Sequence, residues 1–442
     1  MAAMTADTTA YEKQWFGHPR GLATLFFTEM WERFSYYGMR ALLFSFMVGA
    51  TQLPGLGFDE KRAGAIYGWY VFSVYATALI GGVIADKWLG HYKTVFVGGV
   101  IIALDHFSMV FHQMSFFYGG LVMIALGTGL LKPNASTLVG TLYKKDDPRR
   151  DSGFSLFYSG INIGAFFGPL LTGWLVFKYG NWHYGFACAG VGMVLGLVQY
   201  SMGKKYLVPV EPAAREVEEH PKAPIPPLTR TDWMKISVIG ILFVFCIIFW
   251  AGYEQAGTTL NLFADRATRT TIFGWAYPFT WLQSVAPFCV WAFAPMFAWL
   301  WLKLGKHEPS SPAKFMFGLV FLSGSYLMIL QAAHFFENTH QRVSPWWLII
   351  LYLLQTFGEI CLYPTGMSMV TKLSPPHLVS ILMGVFFLAL AIGNKLAGFI
   401  AGFLKDMPFS HVFWIAFVSS GIAALVLMLL IPLIKKLMGD VH

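Results

Sequence analysis

Six residues in the stretch F-T-E-M-W-E-R-F-S-Y-Y-G-M-R (27–40) can handle protons or charged ligands: Glu29, Glu32, Arg33, Tyr36, Tyr37 and Arg40. Carboxylates exchange protons, guanidinium groups grip carboxylates in pairs of bonds, and phenols hydrogen-bond peptide groups. On a helix turning about 100° per residue, all six fall within about 140° of arc. Glu29 and Arg33 stand at i,i+4 with the acid N-terminal, the order that favours pairing. A single intrahelical ion pair that only fixes packing would explain those two. It would not explain a polar stripe about 16 Å long, which favours a wet pathway.

The surrounding elements make this charge costly. The chain has 442 residues, 56% hydrophobic and 12% charged, where soluble domains run near about 25% charged. That composition is a polytopic membrane protein. Apolar runs between polar breaks predict twelve spans: 22–49, 63–86, 93–113, 116–137, 153–178, 183–203, 235–263, 272–303, 314–336, 345–371, 379–403 and 409–434. A charge facing lipid costs about 2.5–3.5 kcal/mol. The polar face of span one therefore turns toward protein or water. Lys132 in span four, Glu254 in span seven and Glu359 in span ten are further ionisable residues inside spans.

Basic residues orient the chain. The termini and the loops 87–93, 138–152, 204–235, 303–314 and 372–378 hold about 20 of the 31 Lys and Arg residues, and the opposite loops about 7. The positive-inside rule places the first set, with both termini, in the cytoplasm. The N-terminus lacks the apolar region of a cleaved signal peptide. The Pro- and charge-rich break from Lys204 to Thr231 divides the spans six and six. The expected organisation is an N-terminal segment (1–21), a six-helix bundle (22–203), a cytoplasmic linker (204–234), a second six-helix bundle (235–434) and a C-terminal tail (435–442). Such a chain suits a two-lobed alternating-access transporter with its substrate between the lobes near the midplane. On hydropathy alone, a channel or a polytopic enzyme remains open.

Equivalent depth suggests partners. Arg40 lies about 20 residues from the cytoplasmic start of its span, and Glu254 about 19 from Lys235. They are expected to form an outer gate pair, with Lys132 and Glu359 as an inner one. Carboxylates beside fixed cations can bind and release protons as that balance changes. Sodium is less favoured, because no oxygen-only cage is present.

Several motifs together resemble one family. E-M-W-E-R-F-S-Y-Y-G (29–38) matches the ExxERFxYYG signature of the proton-dependent oligopeptide transporters, within the major facilitator superfamily. F-G-H-P-R-G-L (16–22), G-G-V-I-A-D-K-W-L-G-H-Y-K-T (81–94), G-T-G-L-L-K-P-N (127–134), F-S-L-F-Y-S-G-I-N-I-G (154–164), F-W-A-G-Y-E-Q (249–255) and G-E-I-C-L-Y-P-T-G (358–366) follow in the family's order. The resemblance covers nearly the whole chain. It implies an all-α fold of twelve transmembrane helices in two pseudo-symmetric six-helix bundles. The linker is too short and polar for the two extra helices of many bacterial relatives. It also implies a proton-coupled symporter of dipeptides and tripeptides in the inner membrane, acting as a monomer, with no cofactor but protons and no nucleic-acid partner. By position, Glu29, Glu32 and Arg33 look like the coupling trio, with Lys132 their partner and Glu254 a further coupling residue. Arg33 and Lys132 would hold the peptide carboxylate. Glu359 and Asn162 would take its ammonium, with Glu254 nearby. Tyr36, Tyr37 and Tyr75 would line the pocket. Arg40 and Glu254 match the family's outer gate.

Three departures stand out. Ala286 replaces a usual asparagine, Phe386 replaces a usual tryptophan, keeping an apolar wall without the indole N–H, and the extra helices are missing. An anion carrier of the same family is the runner-up, but it has little use for Glu359. A membrane enzyme would need a metal cluster or a nucleophile with its base, and no such spacing occurs. A peptide sensor without transport is the remaining competitor. Cys188, Cys246, Cys289 and Cys361 are far apart in apolar runs and read as core residues. Asp105 and His106 read as a packed or hydrogen-bonded structural pair without an identified partner, with His106 as a proton relay the alternative. Lys395 is expected to snorkel or pair locally. Pro133, Pro169, Pro287 and Pro364 are expected to bend or break their helices.

Overall fold

Apolar runs interrupted by glycine, proline and charge fold as long helices. The protein is represented by a computed structural model that describes residues 14–111, 113–144, 147–207 and 227–439. Residues 1–13 of the N-terminal segment, 208–226 of the linker and 440–442 of the tail lie outside the described residues. The helices are α1 (Arg20–Val48), α2 (Glu60–Ile84), α3 (His91–Ser108), α4 (Met114–Thr141), α5 (Arg150–Tyr179), α6 (Trp182–Met202), α7 (Arg230–Arg266), α8 (Val285–Leu304), α9 (Ser311–Thr339), α10 (Trp346–Leu373), α11 (Val379–Ala401) and α12 (Phe409–Met438). Two short hairpins, at 14–19 and 271–276, are the strands among the described residues.

Among the described residues, ten of these helices are long and apolar enough to cross a membrane. The other two, α1 and α3, interrupt their apolar runs with buried ionisable groups. These are Glu29, Glu32, Arg33 and Arg40 in α1, and Asp105 and His106 in α3.

Local chemistry sets the ends. Asn181 caps α6 by accepting the His183 N–H at 2.9 Å, and Thr229 and Asp232 form a capping box at the start of α7. Two spans differ from the hydropathy reading. The seventh is not one continuous α-helix, because a 3₁₀ turn at Glu254–Gly257 separates Arg230–Tyr253 from Thr259–Arg266. The eighth begins as a helix at Val285, after the Thr271–Ala276 hairpin and a 3₁₀ turn at Phe279–Ser284. Phe273 and Gly274 both have positive φ there, the signature of a tight hairpin turn that a hydropathy window does not register. Pro287 does not break a helix. It lies in the first turn of α8, where its missing N–H needs no partner. Pro133, Pro169 and Pro364 do lie within helices.

The described residues form two compact units, 14–39 with 76–207 and 40–75 with 227–439. In the first unit, Gly160, Gly164 and Gly168 repeat every fourth residue along α5. A side chain at any of them would strike Phe26, Met30 or Phe34 of α1. This small-residue stripe brings two backbones together, as helices in lipid do where burial from water supplies no drive. A buried cluster including Leu22, Ile102, Leu131, Leu138, Phe157, Met193 and Tyr200 fills the same unit. In the second unit, Gly64 of α2 and Gly398 of α11 meet backbone to backbone. Cys246, Cys289 and Cys361 are buried, Cys188 is half-buried, and all four are free thiols.

Candidate functional site

In the first unit the α1 stripe is buried. Glu29, Glu32 and Arg33 are each at most 3% exposed. Arg33 grips its sequence neighbour Glu32 with two bonds, Nε to Oε2 and Nη2 to Oε1, the latter at 2.6 Å. Glu29 Oε1 stands 3.4 Å from Arg33 Nε. Glu29 Oε2 finds no hydrogen-bond donor among the described residues. The two acids are therefore unequal, one fully engaged and one half engaged. The Arg33 guanidinium also lies over the rings of Tyr36 and Tyr37, at 4.9 Å and 5.9 Å from their centroids. The half-buried Lys132 of α4 is close enough for its charge to act on Glu29. Two carboxylates and one guanidinium leave a net negative charge, which Lys132 or a proton balances.

In the second unit Arg40 and Glu254 form a buried ion pair, 7% and 6% exposed. Arg40 Nε also donates to Tyr67 Oη at 2.6 Å. Glu254 sits at the 3₁₀ turn of α7. Gly257 of that turn leaves the room, since a side chain there would strike the Tyr67 hydroxyl and crowd Arg40 Nε. Glu359 of α10 accepts a hydrogen bond from the Tyr253 hydroxyl at 2.6 Å and lies within electrostatic reach of Glu254. Three further links join the 40–75 segment to the rest of the unit. The Thr51 N–H and hydroxyl donate to Asp265 at 2.8 and 2.9 Å, Arg266 pairs with Glu60 at 2.9 Å, and Lys405 pairs with Asp59 at 2.9 Å. Asp59 also accepts the Arg62 N–H at 2.7 Å, and that bond first, then the one from Lys405, holds its carboxyl below its ordinary pKa.

The sequence profile of the POT family (PTR2) matches residues 92–219 and 229–415. This chain belongs to the POT family. It is 36% identical to the peptide transporter YePEPT of Yersinia enterocolitica, across 99% of this chain and 98% of that one. It is 33% identical to a di-/tripeptide transporter of Lactococcus lactis subsp. cremoris, across 98% and 99%. Among solved structures, it is similar to a peptide transporter POT in complex with alafosfalin, with a TM-score of 0.87, 35% identity and 98% of each chain covered. A POT family transporter in complex with 5-aminolevulinic acid also gives 0.87, at 29% identity over 97% and 99%.

Within this POT chain the other expected residues are placed as follows. Asn162 is buried in α5, with its amide N–H turned back to the Tyr158 carbonyl at 3.0 Å. Tyr75 is half-buried at the edge of the second unit. Phe386 is 1% exposed and packs among Gly366, Phe243 and Tyr363. Lys132 belongs to the first unit and Glu359 to the second. Ala286 is buried in the first turn of α8. Lys395 lies 3.5 Å from the Trp69 ring centroid, a cation–π contact.

The phenols Tyr67 and Tyr253, and the hydroxyls of Ser35 and Thr51, were not expected from sequence. Tyr253 directly precedes Glu254 in F-W-A-G-Y-E-Q, so the motif carried the signal. Ser35 lies inside the opening stretch and joins His106 at 2.5 Å.

Proposed function

We propose that this POT-family protein is a proton-coupled symporter of dipeptides and tripeptides into the cell. The observation that carries the reading is the buried Glu29–Glu32–Arg33 cluster within reach of Lys132. Without a bound proton, its charges balance only while Lys132 serves the carboxylates. A peptide carboxylate drawn to Arg33 and Lys132 diverts those cations, and a proton on Glu29 then restores neutrality. Binding of substrate and of proton are linked by charge balance in a site where unbalanced charge is expensive. Glu32, clamped by Arg33, orients the guanidinium, and Glu29, half engaged, is the proton carrier. Glu359, Asn162 and Glu254 would serve the peptide ammonium, and Tyr36, Tyr37, Tyr75 and Phe386 its backbone and side chains. Fixed charges for the two termini with adaptable apolar walls between them suit promiscuous peptide binding.

In this reading α1 and α3 also cross the membrane and complete twelve helices in two pseudo-symmetric six-helix bundles of the major facilitator type. Their polar groups face protein, not lipid. Alternating access opens and closes Arg40–Glu254 as the outer gate pair and Lys132–Glu359 as the inner one. The protein lies in the inner membrane as a monomer with both termini cytoplasmic, and protons are its only coupling species. The names of its relatives support peptides as the substrate class.

The test is uptake of labelled di-alanine by proteoliposomes under an imposed pH gradient. Uptake should follow the gradient and be competed by unlabelled dipeptides and tripeptides. Accumulation indifferent to the gradient would overturn proton coupling, and a lack of competition would overturn the substrate class.

A further inference from the structure

The coupling cluster leaves one set of buried ionisable groups unexplained. Asp105 and His106 of α3 are both 0% exposed, as is Ser35 of α1. His106 Nε2 lies 2.5 Å from Ser35 Oγ, and His106 Nδ1 lies 3.4 Å from Asp105 Oδ2. Neither Asp105 oxygen has a hydrogen-bond donor among the described residues, and His106 is the ion-pair contact that Asp105 has among them.

A carboxylate so placed cannot stand alone as an anion, because burial without donors or a counter-ion is prohibitive. The pair stays neutral by holding one proton in common. If that proton is on the carboxyl, the ring is neutral and carries its hydrogen on one of its two nitrogens. If it is on the ring, both nitrogens carry hydrogen. Whichever ring nitrogen carries the hydrogen, His106 Nε2 and Ser35 Oγ can bond as donor and acceptor or the reverse, so the hydrogen bond joins α3 to α1 in either placement. Asp105 stands behind the ring as its charge partner, 3.4 Å from Nδ1.

We propose that Asp105, His106 and Ser35 form a positioning unit that sets the rotation of α1 and thereby the placement of Glu32 and Arg33. Ser35 lies about 60° round the helix from Glu32 and two residues beyond Arg33. Around residues 31–34 the contacts of α1 are close packing, and a second directional bond reaches the helix further on, from the Thr172 hydroxyl to the Gly38 carbonyl at 3.1 Å. Gly164 admits its backbone, Gly192 receives the Phe34 ring and Gly196 receives Trp31. Contacts of that kind are non-directional, whereas the Ser35–His106 bond is directional and lies beside the coupling face.

This inference rests on the proposed transport function, and its test separates the two. Ser35→Ala and His106→Leu, purified and reconstituted, should raise the KM for di-alanine about fivefold, the effect of losing one buried hydrogen bond. His106→Gln should restore KM to within about twofold, because its side-chain N–H can reach Ser35. A proton relay would not be rescued by glutamine, and a purely space-filling ring would be rescued as well by leucine. Equal KM for the leucine and glutamine variants would overturn the proposal, as would an unchanged KM for Ser35→Ala. Melting temperatures of Ser35→Ala, His106→Leu and the double variant supply a readout independent of substrate. Non-additive melting shifts are expected, and strict additivity would also overturn the proposal. Non-additive shifts in a protein that takes up no peptide would sink the transport reading and leave the tether standing.

Discussion

Glu29 and Glu32 are the same residue type one turn apart, yet Arg33 treats them differently. The i,i+4 spacing pointed to Glu29 as the natural partner, and its carboxylate does lie 3.4 Å from Arg33. The two-bond grip goes to Glu32, the sequence neighbour. A helical projection places side chains as points, and a guanidinium long enough to fold back escapes it. The inequality predicts two different phenotypes. Glu29→Gln should abolish accumulation against a gradient while counterflow exchange of di-alanine persists, because the amide mimics the protonated acid. Glu32→Gln should lose accumulation and also weaken exchange about tenfold or more, since a charge-assisted pair contributes about 1.5–3 kcal/mol. Equal exchange rates in the two variants would contradict the division of roles. Matching depth had suggested that Arg40 and Glu254 pair, and they do lie together. Tyr67 escaped attention because a phenol carries no charge to mark it. Removing one partner of a buried ion pair costs about 3–5 kcal/mol. Arg40→Glu and Glu254→Arg should therefore each abolish uptake, and the double exchange should recover a measurable part of it. No recovery would count against a direct gating contact.

At the scale of helices, the small residues carry the argument. Gly64 and Gly398 are where α2 and α11 touch, and a side chain at Gly398 would meet the Gly68 backbone at 2.7 Å as well as the Gly64 carbonyl. Backbone cannot move aside as a side-chain tip can. Gly398→Val should hold these helices apart, leave Arg40 and Glu254 without their supporting frame, and reduce uptake more than about tenfold. That magnitude corresponds to about 1.4 kcal/mol or more. Gly324→Ala is the control, because open space surrounds that position. It should leave both uptake and melting temperature unchanged. If the two variants matched, close approach would not be what the crossing requires. Hydropathy located the long helices well, since every run of about twenty apolar residues is visible to it. It missed the 3₁₀ turn at Glu254–Gly257 and the hairpin before α8, which depend on backbone conformation and not on apolarity. The glycine stripe of α5 was legible as composition, but its partner helix was not, because packing against α1 is a tertiary fact.

At the scale of the whole molecule, charge balance makes a prediction about electrical driving force. A zwitterionic peptide carries no net charge, so symport with a proton moves positive charge inward. A negative-inside potential should then drive uptake even with equal pH on both sides. A potential of 100 mV is worth about 2.3 kcal/mol per charge, which supports accumulation of up to about fiftyfold for one proton per peptide. One pH unit adds about 1.36 kcal/mol, a further tenfold. The experiment imposes a potassium diffusion potential with valinomycin on proteoliposomes at uniform pH and follows labelled di-alanine. Uptake should rise with the potential, collapse on adding a protonophore, and be indifferent to replacing sodium by choline. Di-alanine tests the neutral case. A dipeptide with one lysine adds a second positive charge and should respond more steeply to the same potential. Di-alanine uptake that ignored the potential but followed the pH gradient would mean that a compensating charge moves with the proton. In that case an anion would have to enter with the proton, or a cation leave in exchange, and the balance of one peptide carboxylate by one proton inferred for the cluster of Glu29, Glu32, Arg33 and Lys132 would be incomplete.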